Sequence, residues 1–231
     1  MPNIDVNPNT LYVHHHLGLG DHIICNGLVR FLLKQTNAND LWLVVKRKNF
    51  NNVSRMFLDD SRIKFIPVDE DKNFYELPLE WSNVRLARIG FERCRETDFD
   101  VSFYDSTGIP FTERWNSWYY QRDLECEQTM MQELLLPEKF VLVHDTSSVG
   151  IFDLKINTNL PVIRVSRLNS EKTMFDWIGV IERATEIHCI DSSFIHLVNS
   201  VDLVTDSLFY HKIKSSKMQI CFRKNWSVIE Y

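Results

Sequence analysis

The sequence predicts an α/β fold in two halves. Short apolar runs suited to parallel strands alternate with segments whose apolar residues recur at helical spacing. Glycine- and serine-bearing turns join strand to helix. The alternation stops once, between residues 115 and 138, and then starts again.

In the first half Leu11 to His16 reads as a strand. Ile23, Ile24, Gly27, Leu28, Phe31 and Leu32 follow at helical spacing, and Leu41 to Arg47 is strand-like again, which makes a βαβ unit. Ile63 to Val68 is a third strand, Val84 to Ile89 a weaker one and Val101 to Tyr104 another, before "STGIPFTERW" breaks the pattern. Trp115 to Leu136 reads as helical and ends at Pro137. In the second half Phe140 to His144, Val162 to Ser166 and Glu186 to Asp191 are strands. Thr173 to Ala184 is a helix with Met174, Phe175, Ile178 and Ile181 on one face, and Ser192 to Val201 is a second helix. The division falls at residues 1–120 and 121–231.

Composition fits a globular chain: 231 residues, 44% of them hydrophobic, suffice for one large domain or two small ones. The net charge of −5 is spread over mixed-sign segments with no basic block, so a nucleic-acid partner is not expected. The N-terminal MPNIDVNPN lacks the basic start and apolar stretch of a signal peptide, and no apolar run approaches the roughly 20 residues that span a bilayer. A cytoplasmic protein is the expectation. Cys25, Cys94, Cys126, Cys189 and Cys221 are scattered, odd in number and never form C-x-x-C, as suits reduced thiols.

Parallel sheets bind ligands at the carboxyl ends of their strands, so two strand-to-helix turns carry the functional signal. In "HLGLGDHII" Gly18 and Gly20 permit close backbone approach, and Asp21 stands where an N-cap would. Asp21 is either that cap or a general base near an acceptor hydroxyl. It is no dinucleotide fingerprint, because the third glycine of G-x-G-x-x-G would fall at Ile23. In "IHCIDSSFIHLVNSV" Phe194, Leu197, Val198 and Val201 form an apolar face, with Ser192 and His196 on the opposite side. A histidine beside hydroxyls and free N–H groups at a helix start suits a diphosphate. The alternative is a plain cap with a surface histidine.

Together the two turns resemble a family. "GLGDHIICNGLVRFL" is similar to the N-terminal Gly-Asp turn and helix of the ADP-heptose:lipopolysaccharide heptosyltransferases (glycosyltransferase family 9), and "IDSSFIHLVNSV" resembles their C-terminal Asp-Ser/Thr-Gly-x-x-His-Leu segment. "VLVHDTSS" resembles their hydroxyl-rich donor loop. The resemblance implies a GT-B fold in compact form, two Rossmann-like domains facing a cleft, the N-terminal one for the acceptor and the C-terminal one for the donor. It implies sugar transfer from a nucleotide-diphosphate donor to a glycan or lipid-linked acceptor, inverting, with no cofactor and no bound metal. By it Asp21 matches the base, and Asp191, Ser192, Ser193 and His196 the donor-phosphate segment. His144, Thr146, Ser147 and Ser148 fall near phosphate. Ser193 stands where the family has glycine, and no donor-loop lysine is found. No spanning segment is expected; peripheral membrane contact stays open.

In the strand, His14 and His16 project to one face and His15 to the other, so the triplet does not present three ligands to one metal. His14 and His16 are assigned to the acceptor side beside Asp21. A departing diphosphate needs cations; the candidates are Arg114, Arg122, Arg164, Arg167 and Lys172, with Arg164 and Arg167 favoured on the donor side and Arg114 on the acceptor side. Two alternatives remain. One is a metal-dependent transferase using Asp69 and Asp71 of "DED", with Asp98 and Asp100 of "DFD" a poorer choice. The other is a non-catalytic nucleotide- or glycan-binding protein.

Overall fold

Strands buried on both faces read as unbroken apolar runs, and all five residues of β1 (Thr10–His14) are buried. β1 lies inside a parallel sheet with β2 (Asp40–Lys46), β3 (Ile63–Val68) and β4 (Arg85–Arg88), in the order β3-β2-β1-β4. Leu11 pairs with Leu41 on one side and Arg85 on the other. The structure, a computed structural model, describes residues 9–76, 85–92, 94–95, 97–165, 172–213 and 219–231. The chain divides into two units, Met1–Gln121 with Met218–Cys221, and Arg122–Lys217 with Phe222–Tyr231.

In the first unit the expected helix after β1 is two: α1 (Leu19–Ile24) and α2 (Asn26–Thr36), broken at Cys25, whose ψ of 1° leaves the helical range. Gly27 lies in the first turn of α2 and faces another helix. A Cβ there would stand 2.2 Å from the carbonyl oxygen of Glu113 in α5 (Glu113–Asn116), so the two helices meet backbone to backbone. α2 ends at Asn37 in the left-handed conformation, φ 50°. α3 (Phe50–Arg55) follows β2.

Val101 to Tyr104, expected as a strand, lie in α4 (Phe99–Asp105). Phe103 packs on His16 and the Tyr104 hydroxyl donates to Ile24 O at 2.7 Å, so tertiary contacts override the strand propensity of Val, Phe and Tyr. Arg114, placed by the sequence on the acceptor side, is 1% exposed and ion-paired with Asp100 in the core of this unit. Asp100 Oδ2 also accepts the Cys221 N–H at 2.9 Å. Trp115 to Leu136 is not one helix: irregular chain separates α5 from α6 (Leu124–Glu133), which Asp123 caps by accepting the Cys126 N–H at 3.0 Å.

The second unit is a five-stranded parallel sheet in the order β11-β10-β9-β5-β8, formed by β5 (Val141–His144), β8 (Val162–Arg164), β9 (Glu186–Ile190), β10 (Leu208–Lys212) and β11 (Ser227–Glu230). A short antiparallel hairpin, β6 (Thr146–Ser147) and β7 (Gly150–Ile151), follows β5. Thr173 to Ala184 begins as a 3₁₀ turn, Met174–Trp177, before α7 (Ile178–Arg183). α8 (Ser193–Ser200) follows β9.

Val141, Val143 and Ile190 on one sheet face pack under Phe152, Leu154, Ile156 and Leu160, a stretch with no helix or strand. On the same strands runs a side-chain chain of hydrogen bonds. Tyr231 Oη donates to His211 Nδ1 (2.8 Å), His211 Nε2 to His188 Nδ1 (2.7 Å) and His188 Nε2 to Glu186 Oε1 (2.5 Å), while Lys155 N–H donates to the Tyr231 oxygen (3.0 Å). One choice of tautomer, Nε2–H on both imidazoles, satisfies all four bonds with neutral rings.

Candidate functional site

An open parallel sheet has a crevice at its carboxyl edge where the strand order reverses. In the first unit the chain passes from β1 to β2 and β3 on one side and returns to β4 on the other, so this point lies between β1 and β4. His14 to Gly20 leave β1 there, and Ile89 to Phe91 leave β4. His16 Nε2 bonds Gly90 O at 3.1 Å across the gap, and its ring stacks on Phe91 at 4.9 Å.

The histidine triplet separates as alternation requires. His14 packs on Phe74, Tyr75 and Phe91, sharing Phe91 with His16, whereas His15 faces His22 at 4.4 Å. Burial, with lesser pushes from His15 and Arg88, lowers His14 to about 3; burial lowers His15 to about 4. His22 is buried and held well below its ordinary range. Among the described residues neither ring nitrogen of His14 or of His22 has a hydrogen-bond partner.

Asp21 is not the N-cap. Gly18 caps α1 with extended φ and ψ, and Asp21 is the third helical residue, its carboxylate reaching back to accept the Gly18 N–H at 3.1 Å. A Cβ on Gly18 would stand 2.6 Å from Asp21 Oδ2, so a larger residue there would push the carboxylate aside. Gly20 lies within the first turn of α1. Burial pushes the Asp21 carboxyl up to about 7; Asp71 adds to this, and the Gly18 N–H and Lys46 oppose it. A carboxyl poised near neutrality, at the edge where ligands bind, has the proton affinity of a general base.

In the second unit the strand order reverses between β5 and β9. His144 ends β5, and Asp191, Ser192 and Ser193 follow β9. Ser192 occupies the N-cap position of α8 without capping; its hydroxyl bonds His144 Nδ1 at 3.1 Å instead. The His144 ring lies flat on Phe194, 4.7 Å between centroids, and burial lowers it to about 4, so it is neutral at physiological pH. Next to it Asp145 is buried and ion-paired with Arg164 at the end of β8, and Thr146 Oγ1 donates to Asp145 Oδ1 at 3.3 Å. Ser147 Oγ accepts the Val149 N–H at 3.2 Å, and Ser148 is exposed in the hairpin turn. Arg164, Asp145, His144 and Ser192 thus run across three neighbouring strand ends.

Some expected residues stand elsewhere. His196 is 8% exposed, and Phe194 to Ser200 are all buried, so α8 has no solvated polar face of the kind its pattern suggested. Arg122 binds Glu127 and Glu182, and Lys172 binds Glu133. Arg167 lies outside the described residues. Asp69 and Asp71 are paired with Arg47 (3.0 Å) and Lys46 (3.2 Å), and Asp98 with Arg95 (2.6 Å). Among the described residues no group of three or more His, Cys, Asp or Glu is placed to hold a metal ion. Sequence reasoning passed over Asp145 and Lys46. Each sits at or just past the carboxyl end of a strand, a position that was the available signal.

No family model matches the chain, and no curated protein matches it in sequence. Solved structures do match in shape. A family 9 glycosyl transferase from Veillonella parvula is 10% identical with a TM-score of 0.58, covering 99% of this chain and 87% of that one. ADP-heptose LPS heptosyltransferase II of E. coli is 10% identical at 0.53, covering 95% and 89%. The iron-containing dodecameric glycosyltransferase TibC of enterotoxigenic E. coli is 10% identical at 0.52, covering 90% of this chain and 59% of that one. The chain has a GT-B-type fold. At this identity the likeness concerns architecture, and the chemistry has to be argued from the residues. No helix among the described residues is long and apolar enough to cross a membrane.

Proposed function

We propose that the protein is a glycosyltransferase that moves a sugar from a nucleotide-diphosphate donor to a hydroxyl of a glycan or lipid-linked acceptor. The observation that carries the reading is the Asp21 carboxyl, raised to about 7 at the carboxyl edge of the first sheet, where an acceptor hydroxyl can be deprotonated. Asp21 takes the hydroxyl proton, the acceptor oxygen attacks the anomeric carbon, and the bond from that carbon to the diphosphate oxygen breaks with inversion. On the same turn, His16 is assigned to the acceptor side, its ring held by Gly90 O and Phe91, and His14 packs on the same Phe91.

The donor side falls to the second unit. Charge developing on the leaving diphosphate meets Arg164, the hydroxyls of Ser192, Ser193 and Thr146, and the N–H groups opening α8. His144 orients Ser192 as a neutral acceptor. Asp191, Ser147, Ser148 and His196 complete the proposed donor segment. No step needs a metal ion. The fold shared with solved glycosyltransferases supports this reading over other uses of paired parallel sheets.

The test is release of nucleoside diphosphate from a panel of ADP-, UDP- and GDP-sugars with mixed glycan acceptors in the presence of EDTA. Turnover is expected, rising with pH through 7 as Asp21 loses its proton. Asp21→Asn should lower it by about 10²- to 10⁴-fold with donor affinity unchanged. A folded Asp21→Asn protein that turns over normally would overturn the assignment.

A further inference from the structure

The 3₁₀ turn Asp71–Glu76, which follows β3, passes over the carboxyl ends of the neighbouring strands. Asp71 accepts from Lys46, the last residue of β2, at 3.2 Å. Phe74 and Tyr75 pack on His14 at the end of β1, with 4.2 and 5.7 Å between ring centroids. The Tyr75 ring then lies 5.4 Å from the guanidinium of Arg88, the last residue of β4. Phe91, just past β4, lies 5.0 Å from the same guanidinium and stacks on His16, which stands on the turn that carries Asp21. Two rings thus hold Arg88 in place, while Tyr75 itself is 49% exposed.

The charges along this edge cancel in pairs. Arg88 binds Glu92 at 2.5 Å, Lys46 binds Asp71 at 3.2 Å and Arg47 binds Asp69 at 3.0 Å. An open aromatic ring beside a pinned ion pair matches the chemistry of a sugar. A pyranose has a face of C–H bonds that lies on the electron-rich face of an aromatic ring, and a rim of hydroxyls that donate to a carboxylate and accept from a guanidinium. An anionic sugar would meet a cation already compensated and be repelled by Glu92.

We propose that Tyr75, Arg88 and Glu92 form the acceptor subsite and select an uncharged pyranose. The C–H face of the ring lies on Tyr75, and neighbouring hydroxyls bridge the Arg88 N–H groups and the Glu92 carboxylate. Phe91 braces Arg88 and joins the subsite to the His16 turn. Glu92 sets the specificity, because without it Arg88 becomes an open cation. This deepens the glycosyltransferase reading and rests on it only for calling the bound sugar an acceptor.

The test is a saturation-transfer NMR titration of the full chain, without donor, using the methyl glycosides of glucose, galactose and mannose, each against its uronic acid. At least one neutral glycoside should bind, with saturation strongest at its ring C–H protons, and more tightly than its uronic acid. Tyr75→Ala should weaken that binding by about 3- to 10-fold, the value of one aromatic contact. Glu92→Gln should reverse the preference in favour of the uronic acid. A parent that binds no neutral glycoside, or that favours the uronic acid, overturns the proposal, as do folded variants that leave affinity and preference unmoved. Should Tyr75→Ala not fold, Glu92→Gln decides alone, and an unreversed preference there overturns it. Neutral-sugar binding that depends on Tyr75, in a chain that turns over no donor, would keep the subsite and remove the transferase. Sugar transfer by Tyr75→Ala at the parent's acceptor KM would keep the transferase and remove the subsite.

Discussion

Lowering the pH from 7.5 to 5 should destabilise this protein severely, because the fold keeps several imidazoles neutral that the unfolded chain would protonate. His15, His144 and His211 are lowered to about 4 and His14 to about 3, from an ordinary 6.5, and His22 is also lowered; burial is the first cause in every case. Between pH 6.5 and 4 the unfolded state binds protons that the folded state does not, so stability falls as pH falls through that window. At pH 5 each of the four valued histidines costs roughly 2 kcal/mol. Asp21 acts in the opposite sense. Raised to about 7 from 3.8, it binds a proton in the folded state first and stabilises as the pH drops, by at most about 3 kcal/mol for this partly exposed group. It offsets little more than one histidine.

The remaining loss, several kcal/mol, is comparable with the whole stability of a domain, about 5–15 kcal/mol. Thermal melts in buffers from pH 8 to 4.5 should show the melting temperature falling most steeply below pH 6.5. His15→Leu has nothing to protonate at that position, so its loss between pH 7.5 and 5 should be smaller by about 2 kcal/mol. A flat melting temperature across the window, or a His15→Leu protein with the parent's slope, would refute the reasoning.

Arg114→Met should cost about 3–5 kcal/mol in urea denaturation, since it strands the buried Asp100 carboxylate without its counter-charge; a loss below 1 kcal/mol would mean the pair is dispensable. Gly27→Ala should destabilise by about 1–3 kcal/mol, because the new methyl meets the Glu113 carbonyl at 2.2 Å in a backbone contact that no side chain can relieve; an unchanged midpoint would place α5 further away. Ser192→Ala should weaken binding of whichever nucleoside diphosphate the donor panel selects by about 3- to 10-fold in calorimetry, the value of one hydrogen bond, with the melting temperature preserved. Unchanged diphosphate affinity would confine Ser192 to holding His144.

The fold was legible where the local signal and the tertiary outcome agree. Ile63 to Val68 carries four strand formers, Ile63, Phe65, Ile66 and Val68, between polar flanks and is β3 to the residue. Val101 to Tyr104 carries the same signal and is helical, because Asp100, Phe103 and Tyr104 must reach Arg114, His16 and Ile24 from one short helix. The break at Cys25 leaves no trace in the apolar spacing, since both helices continue the buried stripe. In the candidate site the two turns were legible from glycine, aspartate and serine at strand ends. The places of Arg114 and His196 were not: whether a polar side chain meets solvent depends on what packs over it, and here Arg114 is buried against Asp100 and His196 is buried within α8.

The hydrogen-bonded run from Glu186 to Tyr231 also answers a question of alignment. EIHCI and LFYHK are short parallel strands whose apolar residues could pair in neighbouring offsets with similar burial. Slipping either strand by one position turns His188 or His211 to the opposite face of the sheet, where the partner imidazole is absent. The slipped arrangement would leave buried ring nitrogens unsatisfied at about 1–3 kcal/mol each, whereas the native one satisfies all four with a single arrangement of protons. Two histidines, a glutamate and a tyrosine thus act as a key cut into an otherwise featureless apolar seam, admitting one offset of β9 against β10 and refusing the next.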